Sequence, residues 1–331
     1  MSADSKIEWT DTTWNPVTGC TKVSAGCDKC YAETFAERWR GTPGHHFENG
    51  FDLTLRPERL EEPLHWKRPR RIFVNSMSDL FHQDVPDEYI ARVWQVMAST
   101  PRHTYQILTK RHARMRAWVS RCALSPSGYI THNGTNPDAF GGAGLIVGYP
   151  EPTYRRPGWD TGPRGGKPRF KPQPPAYGWP LPNVHLGVSV EDPHWAGLRI
   201  PALLATPAAV RFISAEPLLG PVTLFPGKWI PPYGGGPQAN LARPWETPGP
   251  VLDWVIVGGE SGPGARPMAL GWARTLVDEC TRTGTPVFVK QLGSVLGREL
   301  GAGSKGGDMS AWPEDLRVRE FPRVTEMSGA A

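Results

Sequence analysis

Short runs of β-branched and aromatic residues alternate along the chain with helix-length segments whose apolar side chains recur every three or four positions. That is the pattern of a parallel sheet joined by crossover helices. Six runs read as strands: Arg71–Ser76, Tyr105–Lys110, Val184–Val190, Val210–Ser214, Trp254–Val257 and Pro286–Lys290. Asn15–Cys20 is a candidate for another. Asp84-Val85-Pro86-Asp87 reads as a helix start, followed by Tyr89, Ile90, Val93, Trp94 and Met97 on one face. Further helices are expected over Arg111–Val119, His194–Leu204 and Trp272–Cys280, the last stopped near Gly284-Thr285-Pro286.

Two segments break this rhythm. Residues 123–182 hold 12 Pro and 11 Gly, too many for element interiors, and read as an insertion or lid. Within it Arg155, Arg156, Arg164, Lys167, Arg169 and Lys171 stand with Asp160 as the one acid between Arg155 and Lys171. It is either a solvated loop or a basic arm for nucleic-acid phosphates. A second Pro/Gly-rich loop spans 221–250. Over all 331 residues, 37 Lys and Arg against 32 Asp and Glu leave a net charge of +5, which permits a polyanionic partner without requiring one. No run approaches the roughly 18 apolar residues of a membrane span, and the first residues are polar, so the expected setting is cytoplasmic, with no membrane partner.

Of five cysteines, Cys20, Cys27 and Cys30 crowd into eleven residues, which suits a metal site better than a disulfide framework. Three thiolates in one loop can each hold a different iron of a cluster and leave one iron open. Alternatively, His45 or His46 completes a three-Cys, one-His zinc set. The expected strands also end in polar groups: Ser76 and Asp79, Thr109 and Lys110, Ser189 and Glu191, Ser214 and Glu216, Glu260 and Ser261, Lys290 and Gln291. A charge at the end of a strand buried on both faces must meet solvent, a partner charge or a ligand, so the set points to a functional rim. Gly258-Gly259-Glu260-Ser261-Gly262 adds a glycine turn that allows close approach to a ligand. Lys110-Arg111-His112, with Arg114 and Arg116, opens a helix with cations that oppose its dipole and so suggests an anion nearby.

The cysteine loop ahead of a βα array, with Tyr31 directly after Cys30, resembles the radical S-adenosylmethionine superfamily. The chain is more closely similar to a phage-associated family of unknown function. That similarity rests on Trp14–Cys20, Phe73–Phe81, Ile107–Arg111, Ile213–Leu219, Gly258–Gly262 and Trp312–Arg319. The resemblance implies a single domain over 1–331, an α/β fold built as a radical-SAM-like partial (βα) barrel of about six parallel strands, carrying the 123–182 insertion. It implies a 4Fe-4S cluster on Cys20, Cys27 and Cys30, and S-adenosylmethionine held at the strand ends by Tyr31, Ser76, Asp79, Lys110, Ser189, Glu191, Glu216, Gly258, Gly259 and Glu260. The implied reaction is one-electron cleavage of that cofactor to a deoxyadenosyl radical that abstracts hydrogen from substrate, fed by an electron donor. Six residues separate Cys20 from Cys27, more than the superfamily's usual spacing, and Gly19 and Gly26 are expected to supply the backbone freedom for the longer loop. Two functions follow: a radical enzyme acting on a nucleobase or nucleic acid, or a non-catalytic, zinc-stabilised nucleic-acid-binding protein. The strand-end acids speak against the second, because they would repel phosphates on the same face.

Overall fold

Seven apolar runs pair edge to edge in chain order, all parallel: β1 Thr12–Trp14, β2 Arg71–Val74, β3 Thr104–Thr109, β4 Val184–Ser189, β5 Val210–Ala215, β6 Trp254–Gly258 and β7 Val287–Gln291. The structure, a computed structural model, describes residues 5, 7–124, 130–132, 145–148, 178–224 and 252–322. The sheet curls into a half-barrel with helices on its convex side: α1 Tyr31–Glu37, α2 Asp87–Ala98, α3 His112–Val119, α4 Pro193–Leu204, α5 Leu270–Thr283 and α6 Gly293–Glu299. The fold class is α/β. Six strands match the expectation from periodicity, and a seventh is added at Thr12–Trp14 rather than Asn15–Cys20. Pro16 lacks the N–H a ladder needs, so pairing with β2 ends before it. Val17-Thr18 instead pairs antiparallel with Thr54-Leu55.

Within the stretch read as an insertion, Ile130–His132 and Leu145–Gly148 form an antiparallel sheet with Cys122–Leu124, so it is not wholly loop. The basic run Arg155–Lys171 and nearly all of 221–250 lie outside the described residues.

Side chains of successive strand residues point to opposite faces. One face, with Ile72, Val74, Ile107, Leu186, Val188, Ile213, Val255, Val257, Val287 and Val289, joins the main core under the helices. Those helices contribute Ile90, Trp94 and Met97 from α2, Ile200 and Leu203 from α4, and Leu276 from α5. The other, concave face carries a separate cluster of Trp9, Phe73, Phe212, Trp254, Ile256 and Phe288. Trp9 plugs it, with ring centroids 4.7 Å from Phe73 and 6.1 Å from Trp254. Each such aromatic contributes roughly 1.5–3 kcal/mol by leaving water. The same alternation places Lys110, Ser189, Ser214, Glu216, Gly258 and Lys290 on the concave face nearer the strands' C-terminal ends. The half-barrel thus runs from an aromatic floor to a polar mouth.

Candidate metal centre

The loop carrying Cys20, Cys27 and Cys30 lies across that mouth, fastened at successive points. Gly19 turns with φ +82°, and a Cβ there would lie 2.2 Å from the Asp52 carbonyl oxygen, so both its torsion and its space demand glycine. Its N–H donates to the Met77 carbonyl, and the Cys20 N–H donates to that of Phe51. Thr21 shares a hydrogen bond of 2.9 Å with His82 Nε2, and its Oγ1 accepts from Arg111 Nη2 at 2.6 Å. Ser24 Oγ donates to Glu191 Oε1 at 2.8 Å. Arg266 Nη2 donates to the Ala25 carbonyl at 2.8 Å, and its Nη1 donates to Asp28 at 3.2 Å. After Cys30 the chain enters α1, where Tyr31 is 60% exposed while its hydroxyl donates to the Ser76 carbonyl at 2.5 Å.

Glu191 is the hub beneath this loop. Its carboxylate, 0% exposed, meets Arg199 Nη1 at 2.8 Å and Lys110 Nζ at 3.4 Å as well as Ser24. Arg199, also 0% exposed, donates from the same Nη1 to the Ser189 carbonyl. Glu191 therefore builds the loop's support rather than a ligand-facing surface, while Ser189 contributes its backbone carbonyl to that support. Gly26 presses on this carboxylate: a Cβ would stand 2.5 Å from Glu191 Cγ and Oε1. Its φ is not in the left-handed region, so Gly26 serves closeness and not the torsional freedom expected of it. Gly26→Ala is expected to cost about 1–3 kcal/mol by overpacking and to loosen the loop. Thermal unfolding and the rate at which a chelator strips iron from reconstituted protein would show it, and parent-like behaviour in both would contradict this packing.

Several other expected ligand groups are also committed to structure. Asp79 accepts from Thr109 Oγ1 at 2.7 Å, from the Lys110 N–H at 3.0 Å and from the Phe81 N–H at 3.0 Å, tying the loop after β2 to the end of β3. Ser76 Oγ donates to Asn15 Oδ1 at 3.2 Å. Glu260 takes Arg266 Nη2 at 2.5 Å, and the Arg266 N–H at 2.7 Å. Burial pushes the Glu260 carboxyl up, but the Arg266 bonds outweigh it and its pKa is lowered. The Gly259 N–H already donates to the Gln291 carbonyl, and a Cβ there would be 2.5 Å from the Leu292 carbonyl oxygen. The glycine turn is a packing device at Gly259, so that amide is not an open donor. Glu216 stays at the mouth, bridged by Lys290 Nζ at 2.6 Å and Gln291 Nε2 at 3.1 Å and leaning on Gly258.

Arg199, Arg266, His82 and Thr21 were not legible as site residues. Arg199 had one signal, a lone guanidinium in the otherwise uncharged helix α4. Arg266 sits in an irregular Gly/Pro turn with no period to read.

The donor set fits a cluster. Cys20, Cys27 and Cys30 are free, partly exposed thiols on one loop. Burial, with Asp79 adding and Arg111 opposing, pushes the Cys20 thiol up to about 11, so binding an iron there must displace a proton. Among the described residues no three His, Cys, Asp or Glu side chains stand close enough to hold one ion. Thiolates that each bind a different iron corner stand farther apart than the ligands of a single ion. His45 instead stacks on Trp39 at 4.2 Å, and His46 packs edge-on against Phe47.

Fold and site together define a parallel α/β half-barrel protein with a three-cysteine loop stapled over its polar mouth. The chain belongs to the family described as Protein of unknown function (DUF5131), which it matches over residues 4–314. No curated protein and no solved structure matches it.

Proposed function

We propose that the protein is a radical S-adenosylmethionine enzyme with a 4Fe-4S cluster on Cys20, Cys27 and Cys30. The observation that carries this reading is a loop of three partly exposed thiols fastened over the C-terminal ends of parallel strands, where the concave surface turns polar. In parallel βα folds that end is where ligands bind and chemistry occurs. When bound, the reduced cluster supplies one electron to S-adenosylmethionine, releasing methionine and a deoxyadenosyl radical that takes a hydrogen atom from substrate.

The chain's own residues do the remaining work. Arg199, Arg266, Lys29 and Arg111 surround the loop with positive charge, which favours an anionic cluster. Glu216, next to Lys290 and Gly258, is the rim carboxylate best placed for the cofactor's ammonium or ribose hydroxyls, and the exposed Tyr31 ring offers a face for the adenine. Glu260 and Glu191 hold the loop. The substrate proposed is a nucleobase or nucleic acid, the electron comes from a separate donor, and the setting is the cytoplasm. No described helix is long and apolar enough to cross a membrane. A zinc-stabilised binding protein would need a single ion's ligands together, and no described observation favours that reading.

Reconstituted and reduced protein is expected to convert S-adenosylmethionine to 5′-deoxyadenosine and methionine, followed by chromatography. Glu216→Gln is expected to weaken S-adenosylmethionine binding roughly ten-fold or more, the loss of one charge-assisted contact, with iron content unchanged. No deoxyadenosine from cluster-loaded protein would overturn the proposal, and parent-like affinity in Glu216→Gln would remove that residue from the cofactor site.

A further inference from the structure

Among the described residues five large apolar side chains are exposed, and three of them, Tyr31, Phe35 and Trp39, stand four residues apart along α1 and the turn that ends it. That spacing puts them on one side of the helix, about 6 Å apart along its axis. Trp39 lies just past the C-cap Arg38 and continues the turn, its N–H donating to the Ala36 carbonyl. The other side, with Ala32 and Ala36, is buried. The row begins at the mouth, where the Tyr31 hydroxyl meets the Ser76 carbonyl beyond the end of β2, and leads away toward Trp39. A row of exposed aromatics marks an interaction surface.

The outer two rings are fixed in place by their neighbours. Phe35, 45% exposed, meets the buried Phe47 edge-on at 5.7 Å, and Trp39, 38% exposed, stacks on His45 at 4.2 Å. His45 is held in turn, because its Nδ1 accepts from the Phe47 N–H at 3.1 Å. Charge is sorted across the helix. Arg38, seven residues after Tyr31, returns to the aromatic side, where it is exposed and its guanidinium meets no acid or hydrogen-bond acceptor among the described residues. Glu33 and Glu37 lie two residues from their aromatic neighbours and so face away from them. There Lys22 holds Glu33 at 3.2 Å and Arg40 holds Glu37 at 2.6 Å. The aromatic side is left with a free cation and no acid of α1, the charge that suits a polyanion.

We infer that this side of α1 is a stacking platform for a single-stranded nucleic acid, with bases on Phe35 and Trp39, phosphate on Arg38, and a path that ends at Tyr31 and the mouth. Rings that take any flat base, joined to a cation that takes phosphate, are the elements of single-strand binding. The inference names the form of substrate for the activity proposed above and in that respect rests on it, but the platform requires neither cluster nor cofactor.

The test is fluorescence anisotropy of labelled oligothymidylate and oligouridylate, titrated with the full chain as purified and after cluster reconstitution. An abasic oligomer of the same length carries the same phosphates and is expected to bind roughly ten-fold or more weakly, the loss of stacking. Phe35→Ala and Trp39→Ala are each expected to weaken the base-bearing strand about ten-fold, with thermal unfolding close to the parent's. Phe35→Leu keeps an apolar contact with Phe47 and should bind as weakly as Phe35→Ala, which separates lost stacking from lost packing. Arg38→Gln should lower the slope of log affinity against log salt by about 0.7, the share of one single-strand phosphate. Binding of the DNA or the RNA form alone supports the inference and assigns the sugar. Equal affinity for abasic and base-bearing strands, or parent-like binding by the Phe35 and Trp39 variants, overturns it. Variants that bind the strand like the parent but are no longer reduced by flavodoxin overturn it too, and assign the face to a protein partner. Strand binding without deoxyadenosine formation contradicts only the chemistry proposed above, and deoxyadenosine formation without strand binding contradicts only the platform.

Discussion

Glu191→Ala is expected to lower the stability of the fold by about 3–5 kcal/mol, because it leaves a buried guanidinium without its counter-charge. The same change is expected to release the cysteine loop. Arg199 has no solvent to turn to, and Lys110 and Ser24 lose the same partner. Urea unfolding measures the first effect and iron retained after reconstitution measures the second. The paired variant Glu191→Leu with Arg199→Met separates them. Replacing both partners of a buried ion pair by apolar groups of similar volume is often neutral for stability, so this variant should regain most of the lost free energy. It still cannot accept from Ser24, so iron retention should remain impaired. A Glu191→Ala protein as stable as the parent would show that the buried pair is not the support described.

Cys20→Ala, Cys27→Ala and Cys30→Ala are each expected to reduce bound iron from about four per chain to background, since a cluster left with two thiolates is open to loss. Cys280→Ala supplies the contrast. Burial pushes that thiol up to about 12, and it sits on the core-facing side of α5, packed in the main core. Its removal should keep the iron and cost stability only. Iron analysis on anaerobically reconstituted protein decides between them: full iron in any of the three loop variants would remove that cysteine from the site.

The strands were legible because burial on both faces leaves continuous apolar runs, and their order follows the chain. The three thiols stand in one loop and were legible by spacing alone. The strand-end acids were legible as a set, but their roles were not. Glu191, Asp79 and Glu260 read as ligand groups from position, while their partners Arg199, Thr109 and Arg266 lie 8, 30 and 6 residues away and turn them into clamps. A carboxylate at a strand end looks the same in sequence whether it meets a cofactor or a guanidinium. Gly26 shows the same limit, since its reason is a carboxylate 165 residues later rather than its own torsion. The mouth of the barrel was located, and its internal bracing emerged only from the packing.

On that bracing rests the proposal that three thiolates at the polar mouth hold a cluster with one iron free for S-adenosylmethionine. Low-temperature electron spin resonance on reduced, reconstituted protein, with and without S-adenosylmethionine, tests it most directly. A cubane signal whose shape shifts when S-adenosylmethionine is added is the result predicted. Stoichiometric zinc in protein purified without oxygen, with no cluster signal after reconstitution, would contradict it.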